Sequence, residues 1–242
     1  MSTESAEHPT STQRPKFGIG AILLRLILFV LLLSLPFVAA GRLDWPQGLI
    51  YLALMLVFVG GSRILMARKH PDLVMERVRA GDLPDSKQWD KPLSAIIGLW
   101  GVLATWIVAG LDERFGWPPS IPIELQVIAL IVYVLGTLFG TWAMLVNRFF
   151  SAVVRIQHDR GHTAVTNGPY RIVRHPGYAA GVIGYLAMPF VLNSLWAMIP
   201  AVLTAILIVV RTALEDKTLQ AELPGYQEYT QRTRYRLLPG VW

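Results

Sequence analysis

Hydrophobic residues in this chain fall into long runs separated by short polar segments. A helix needs about 20 apolar residues to cross a hydrocarbon core of roughly 30 Å. Runs at about 18–40, 48–66, 93–111 and 123–147 approach that length and predict four membrane-spanning helices. The second run is preceded by Asp44-Trp45-Pro46, which reads as an interfacial turn with an aromatic anchor. The last run, 177–210, is too long for one span and is interrupted between Pro189 and Ser194. It predicts a tight helical hairpin with arms at about 178–191 and 195–211, the first arm short enough to be tilted or re-entrant. The expected fold is all-α: a polytopic membrane helical bundle of about five to six transmembrane helices, closed by a C-terminal hairpin. Residues 1–16 are rich in Ser, Thr, Glu and Pro, too polar to bury apolar area, and are expected to be disordered. Residues 17–147 then form N-terminal transmembrane helices, and 148–242 a second part of different character. The first run exceeds the roughly 7–15 residues of a secretory h-region, so it is expected to remain as a span despite the small-residue stretch Val38-Ala39-Ala40.

Charge fixes the orientation. The net charge is +6, with 53% of residues apolar and only 16% charged, against about 25% in soluble domains. The basic residues do not form one face, so a nucleic-acid partner is not expected. They fall instead in alternate loops. Arg68, Lys69, Arg77, Arg79, Lys87 and Lys91 follow the second run, Arg148, Arg155, Arg160, Arg171 and Arg174 follow the fourth, and Arg211, Lys217, Arg232, Arg234 and Arg236 follow the hairpin. Arg42 and Arg114 stand in the other set of loops. The positive-inside rule then places both termini in the cytoplasm. The absence of cysteine removes thiolate metal sites and a Cys nucleophile, and with the short polar N-terminus it suggests a bacterial inner-membrane protein.

Two segments carry more chemistry than topology requires. The first, 147–178, holds His158, His162, His175, Tyr170 and Tyr178 beside its arginines. Gly168-Pro169 and His175-Pro176-Gly177 read as turns, the second opening the hairpin with Pro176 in the first helical turn. That helix start offers unpaired N–H groups and a positive dipole end, suited to an anion. A solvated basic loop at the headgroups would explain the arginines but not the histidines and tyrosines. His158 and His162 stand four residues apart, yet no third ligand accompanies them, so no metal site is expected. The second segment, 211–242, begins with Arg211 and Glu215 on one helix face, where a local ion pair is the plain alternative to a functional one. Ionisable groups at a membrane boundary tend to be functional. Beyond Leu223-Pro224-Gly225, Tyr226, Tyr229 and Tyr235 with Arg232, Arg234 and Arg236 form a basic aromatic tail, which headgroup anchoring also accounts for.

At these segments the chain resembles the isoprenylcysteine carboxyl methyltransferase family and, more loosely, the phospholipid methyltransferases. The residues carrying the resemblance are His162-Thr163-Ala164-Val165-Thr166, Gly168-Pro169-Tyr170, Arg174-His175-Pro176-Gly177-Tyr178, Arg211 with Glu215, and Gly225-Tyr226 with Tyr229. The resemblance covers about the last 95 residues. It implies an enzyme that uses S-adenosylmethionine and acts on a lipophilic acceptor from the bilayer. His162, Thr163, Ala164, Val165, Tyr170, His175, Pro176, Gly177, Tyr178 and Glu215 would hold the cofactor on cytosolic segments. Arg211 and Arg174 would contact the acceptor, and Arg211 with Glu215 would act at the reacting centre. Arg155 falls where eukaryotic members have glutamine, and the acidic motif here is Glu215-Asp216.

The resemblance favours methylation of a carboxylate, with a phospholipid amine or a small thiol as alternatives. A transporter or scaffold would place ionisable groups in mid-membrane, and these runs are almost free of them. A nicotinamide-dependent membrane reductase is a third reading, without a G-x-G-x-x-G motif to support it.

Overall fold

The computed structural model describes residues 19–80, 83 and 85–242. The polar tail 1–16 lies outside the described residues. Those described are helical, with no strand among them. The chain divides into two compact units, one ending at Ser34 and one comprising Leu35–Trp242. In the first unit, helical residues 19–34 turn Leu23, Leu24 and Leu28 outward, each more than half exposed.

The helix α1 (Ile19–Ala40) is followed by α2 (Pro46–Lys69), α3 (Pro71–Val78), α4 (Asp90–Ala95), α5 (Gly101–Phe115), α6 (Ile123–Val146), α7 (Pro176–Val191), α8 (Met198–Glu222) and α9 (Tyr226–Arg232). Among the described residues, four stretches are long and apolar enough to cross a membrane: α2, Asp90–Phe115, α6 and α8. Leu26–Ala40 and α7 are shorter apolar helices. At 1.5 Å per residue α7 spans about 24 Å, less than the roughly 30 Å core. The long helices show apolar side chains outward, as Val57 (67% exposed), Leu135 (60%) and Leu203 (58%) illustrate. Such faces are at home in lipid rather than in water.

Local sequence explains the boundaries. Proline opens α2, α3 and α7 in the first turn, where no N–H is needed. Gly116, in the left-handed conformation, closes α5. The sequence predicted one plain span over 93–111; the structure runs from Asp90 to Phe115 and widens to a π-helical turn at Ile96–Trp100. A π turn displaces carbonyls from the regular ladder, and the Tyr185 hydroxyl donates to the carbonyl of Ile97.

The second unit is built on the packing of α6 against α7 and of α7 against α8. Gly136 and Gly140 form a small-residue ridge on α6. A Cβ at Gly136 would lie 2.8 Å from Ile183 Cγ2, and one at Gly140 2.8 Å from Ala180 Cβ. Lipid supplies no hydrophobic drive to bring helices together, so close contact across small residues is what holds them. Residues 192–197 join α7 to α8, and the two helices run antiparallel, with Gly181 against Ile208 and Tyr178 against Arg211. The C-terminal ends of α2, α6 and α8 and the N-terminal ends of α4 and α7 meet at one end of the unit. Cross-links there include His70 Nε2 to the Leu145 carbonyl (2.9 Å) and Asn147 Nδ2 donating to the Tyr170 hydroxyl (3.0 Å).

Replacing Gly140 by valine should force α6 from α7, because Ala180 Cβ cannot rotate away. The expected loss is about 1–3 kcal/mol, the usual cost of overpacking. Thermal unfolding in detergent micelles measures it, and an unchanged midpoint would show that this ridge does not set the spacing.

Candidate active site

A cavity of about 610 Å³ opens at this shared end. It is lined by His162, Thr163, Ala164, Val165, Tyr170, Arg174, His175, Gly177, Tyr178, Arg211 and Glu215. The stretches around His175 and Glu215 therefore enclose one chamber, although some forty residues separate them. Of the residues predicted for the site, Pro176 alone does not line the chamber; it is buried at the start of α7.

The joint between the two stretches is Asp216, which is fully buried. Arg174 donates to it from Nε (2.8 Å) and Nη2 (2.9 Å). Arg236 Nε (2.8 Å), Gln220 Nε2 (2.7 Å) and the Tyr226 hydroxyl (3.1 Å) donate as well, and His175 Nε2 lies 3.1 Å away. Arg174 Nη1 donates to the carbonyls of Thr233 (3.2 Å) and Arg234 (2.8 Å). Arg174, expected at the acceptor, has these donors engaged within the protein, and the structure gives it a bracing role. Backbone bonds from Arg174 N to Tyr235 O and from His175 N to Arg236 O complete the joint.

Arg211 and Glu215 share a face of α8 but do not pair with each other. Arg211 donates from Nε (2.6 Å) and Nη2 (3.0 Å) to Asp90, a fully buried residue at the start of α4. Asp90 also accepts the N–H of Val154 (2.7 Å) and the hydroxyl of Ser94 (3.0 Å). The Arg211 guanidinium lies 5.2 Å from the centroid of the Tyr178 ring. Glu215 instead accepts the Tyr178 hydroxyl. The carboxylate expected to bind a cofactor is thus held in place by a residue of the same predicted set.

The segment before α7 has no long helix of its own, yet Val153 to Gln157 are all buried. Arg155 anchors it. Its Nε and Nη2 donate to Glu76 of α3 (2.7 and 2.8 Å), and Nη1 donates to Asp159 (3.0 Å). The hydrogen bond to Glu76 raises the Arg155 pKa above its usual range. His162 stacks on Phe149 at 4.5 Å and accepts the Gln157 N–H through Nδ1 (3.3 Å). Burial, then the nearby charges of Arg155 and Arg160, push its pKa down to about 4, so the ring is neutral at pH 7. With Nδ1 accepting, Nε2 carries the proton and is the ring's donor.

The remaining wall is apolar and aromatic. Tyr170, Leu219, Leu223, Tyr226 and Tyr229 form a buried cluster, with Ala164 and Val165 packed against it. The Tyr229 hydroxyl donates to the Tyr170 carbonyl (2.6 Å). Burial raises the phenol pKa of Tyr170, Tyr226 and Tyr229, which keeps all three protonated. No cluster of three or more His, Cys, Asp or Glu that could hold a metal occurs among the described residues.

Residues 128–221 match the sequence model of the isoprenylcysteine carboxyl methyltransferase (ICMT) family. The matched segment is less than half of the chain. Among similar proteins, the cobalt-zinc-cadmium resistance protein CzcN of Cupriavidus metallidurans is 31% identical over 57% of this chain and 61% of its own length. A probable protein-S-isoprenylcysteine O-methyltransferase of Oryza sativa is 26% identical over 57% of this chain and 66% of its own length. The chain thus spans less than two thirds of the curated relatives it matches. A solved structure of the eukaryotic intramembrane Ras methyltransferase ICMT overlays with a TM-score of 0.49 at 16% identity, covering 91% of this chain and 86% of that one.

The matched segment contains the first stretch singled out from the sequence, 147–178, and the start of the second, through 221. It omits Glu76, Arg77, Asp90, Tyr226 and Tyr229, which complete the site from α3, α4 and α9. Sequence reasoning missed Asp90 and Glu76 because their partners lie 121 and 79 residues away. One signal was available: Thr212, Asp216 and Leu219 recur at helical spacing on one buried face, which singles out Asp216.

Replacing Asp216 by alanine should leave the buried Arg174 without its counter-charge and cost about 3–5 kcal/mol. A thermal midpoint close to wild type would show that the joint is not structural. For His162, a free histidine has a pKa near 6.5, and the folded value is about 4. The unfolded chain takes up this proton first, so stability present above about pH 6.5 is lost as pH falls towards 4. Proton NMR of the labelled imidazole should show no titration between pH 7 and 5. An apparent pKa at or above 6.5 would contradict the buried placement.

Proposed function

We propose that this protein is an integral membrane methyltransferase of the isoprenylcysteine carboxyl methyltransferase type, with S-adenosylmethionine as methyl donor and a lipophilic acceptor drawn from the bilayer. The observation that carries this reading is the single chamber uniting the His162–Tyr178 stretch with Glu215. It is polar on one wall and tyrosine-lined on the other. Its volume of about 610 Å³ suits a cofactor-sized ligand, since such sites run roughly 300–1,000 Å³. The positive-inside distribution of arginines supports a cytosolic chamber and cytoplasmic termini.

The side chains present fit the donor's chemistry. S-Adenosylmethionine supplies, when bound, a methyl group already activated on a positively charged sulfur, so the protein need not provide a nucleophile. Glu215, fixed by Tyr178, presents a carboxylate to an ammonium group. The first turn of α7 presents the N–H groups of Gly177 and Tyr178 to a carboxylate. The apolar wall of Ala164, Val165, Leu219 and the tyrosines suits a flat aromatic base. The protein's task is then to align two reactants, which can supply roughly 7–11 kcal/mol of the barrier.

A carboxylate acceptor suits this chamber best. It reacts as the anion and needs no base. An amine acceptor would need a group to take its proton, and Glu215 and His175 are the candidates by type. Both already accept or share hydrogen bonds with neighbours.

Calorimetry on purified protein should detect binding of S-adenosylmethionine, weakened by about tenfold or more in Glu215→Gln, because a hydrogen bond to a charged group is worth about 1.5–3 kcal/mol. Incubation with labelled donor and a membrane lipid extract, followed by mass spectrometry, should give a base-labile methyl ester. Absence of donor binding by the wild-type protein would end this reading. A methylated amine or thioether would move it to another acceptor class.

A further inference from the structure

Residues 235–242 carry an apolar patch that the chamber does not use. From Arg236 to Trp242 the backbone closes on itself. The N–H groups of Arg236 (2.8 Å), Leu237 (3.0 Å) and Leu238 (3.3 Å) donate to the main-chain oxygen of Trp242, and the N–H of Val241 donates to the carbonyl of Leu238 (3.1 Å). Gly240 allows the reversal at a φ of 82°. The apex of this turn is apolar and turned outward: Leu238 is 56% exposed and Val241 73%. Ile172, two residues before Arg174, is exposed as well.

The base of the turn is bound to the Asp216 joint, through Arg174 N to Tyr235 O, His175 N to Arg236 O, and Arg236 Nε to the carboxylate itself. Those bonds fix its height along the bundle. His175 stands three residues before Tyr178, whose ring faces Arg211, the first charged residue after the apolar run of α8. Three residues of helix rise about 5 Å. Headgroups fill roughly 5–8 Å beyond each face of the hydrocarbon core. The turn therefore leaves the joint at headgroup height. Its surroundings are cationic: residues 223–242 hold Arg232, Arg234 and Arg236 against one carboxylate, Glu228. Arg171, Arg232 and Arg234 are exposed, and their side chains have no hydrogen bond or ion pair among the described residues.

We propose that residues 236–242 form an interfacial anchor whose partner is the anionic phospholipid surface of the adjoining leaflet. Leu238 and Val241 enter the acyl boundary, and Arg171, Arg232 and Arg234 hold phosphate-bearing headgroups. Height and charge agree on this partner: an apolar apex at headgroup level meets lipid without further assembly, and guanidinium groups without counter-ions match phosphates. The anchor is independent of methyl transfer and needs no donor. It bears on the chamber all the same, because Arg236 joins the turn to Asp216 and so holds the joint at the membrane surface.

The chain contains no cysteine, so Val241→Cys introduces a single thiol, to be labelled with the fluorophore NBD in the full-length protein. The labelled protein is placed in nanodiscs of phosphatidylcholine alone or of phosphatidylcholine mixed with phosphatidylglycerol, with and without a lipid bearing a nitroxide high on its acyl chain. In the anionic discs the probe should emit as in an apolar medium and be quenched by the nitroxide. The ratio of inserted to free probe should exceed that in neutral discs by about fivefold for each arginine that reaches a headgroup. Combining Arg171→Gln, Arg232→Gln and Arg234→Gln should erase the difference between the two discs. Leu238→Asp should move the probe into water in both. A probe in water in the anionic discs, which would leave the apex to a soluble partner, overturns the proposal. So does equal insertion in the two lipids, or a difference that survives the triple variant. Were that variant to unfold, the comparison of lipids and Leu238→Asp would decide without it.

Discussion

The carboxylate of Asp216 is the constraint on which the chamber depends. It has no contact with solvent, and it receives hydrogen bonds from the segment before α7, from α9 and from the tail beyond it. A buried charge is tolerated only when its hydrogen-bonding capacity is filled, and removing one partner of such a pair costs far more than the pair contributes. Asp216 therefore selects the one arrangement in which Arg174, Arg236, Tyr226 and His175 all reach it. Asp90 and Glu76 do the same on a smaller scale, fastening 152–155 to the ends of α4 and α3. A segment with only two short turns of helix is thereby given a definite course without a secondary-structure ladder.

These pairings also set the charge of the chamber. Arg155, Arg174 and Arg211 arrive with their own counter-ions, so the cavity is far less cationic than its lining suggests. What remains unbalanced is Glu215 on one side and Arg77 on another. On the proposed function Glu215 is the group that would meet the charge of a cationic donor. The membrane makes the chamber's position natural, because a polar cofactor arrives from water and a lipophilic acceptor from the side, and only a chamber at the helix ends touches both.

Much of the architecture was legible because lipid demands long apolar runs. The spans expected at 48–66 and 123–147 became α2 and α6 with their ends moved by at most a few residues, and Pro176 opens α7 as its chemistry requires. The two site segments were legible for the opposite reason: histidine and tyrosine have no topological use, so their presence called for another explanation. What could not be read was pairing across distance. Arg211 and Glu215 suggested an ion pair by spacing alone, yet Arg211 turns to Asp90, an acid from a different helix. Spacing of four residues makes a pair available; it does not make it the best one when a fully buried carboxylate competes. Arg174 was placed at the acceptor by the resemblance, and its partner Asp216 lies 42 residues on, in α8. The π-helical turn at Ile96–Trp100 was not read from the sequence; within it the Ile97 carbonyl accepts from Tyr185 of α7.

The Asp90–Arg211 pair bears on how such a site would work. An unpaired arginine at the reacting centre would hold an anionic acceptor tightly in its ground state, and interactions equally strong before and during reaction lower no barrier. With Nε and Nη2 of Arg211 committed to Asp90, the arginine that the resemblance places at the acceptor has most of its charge already compensated. On the proposed function, that compensation is a physical reason for a buried aspartate from α4 to stand behind the arginine that the family resemblance puts at the substrate.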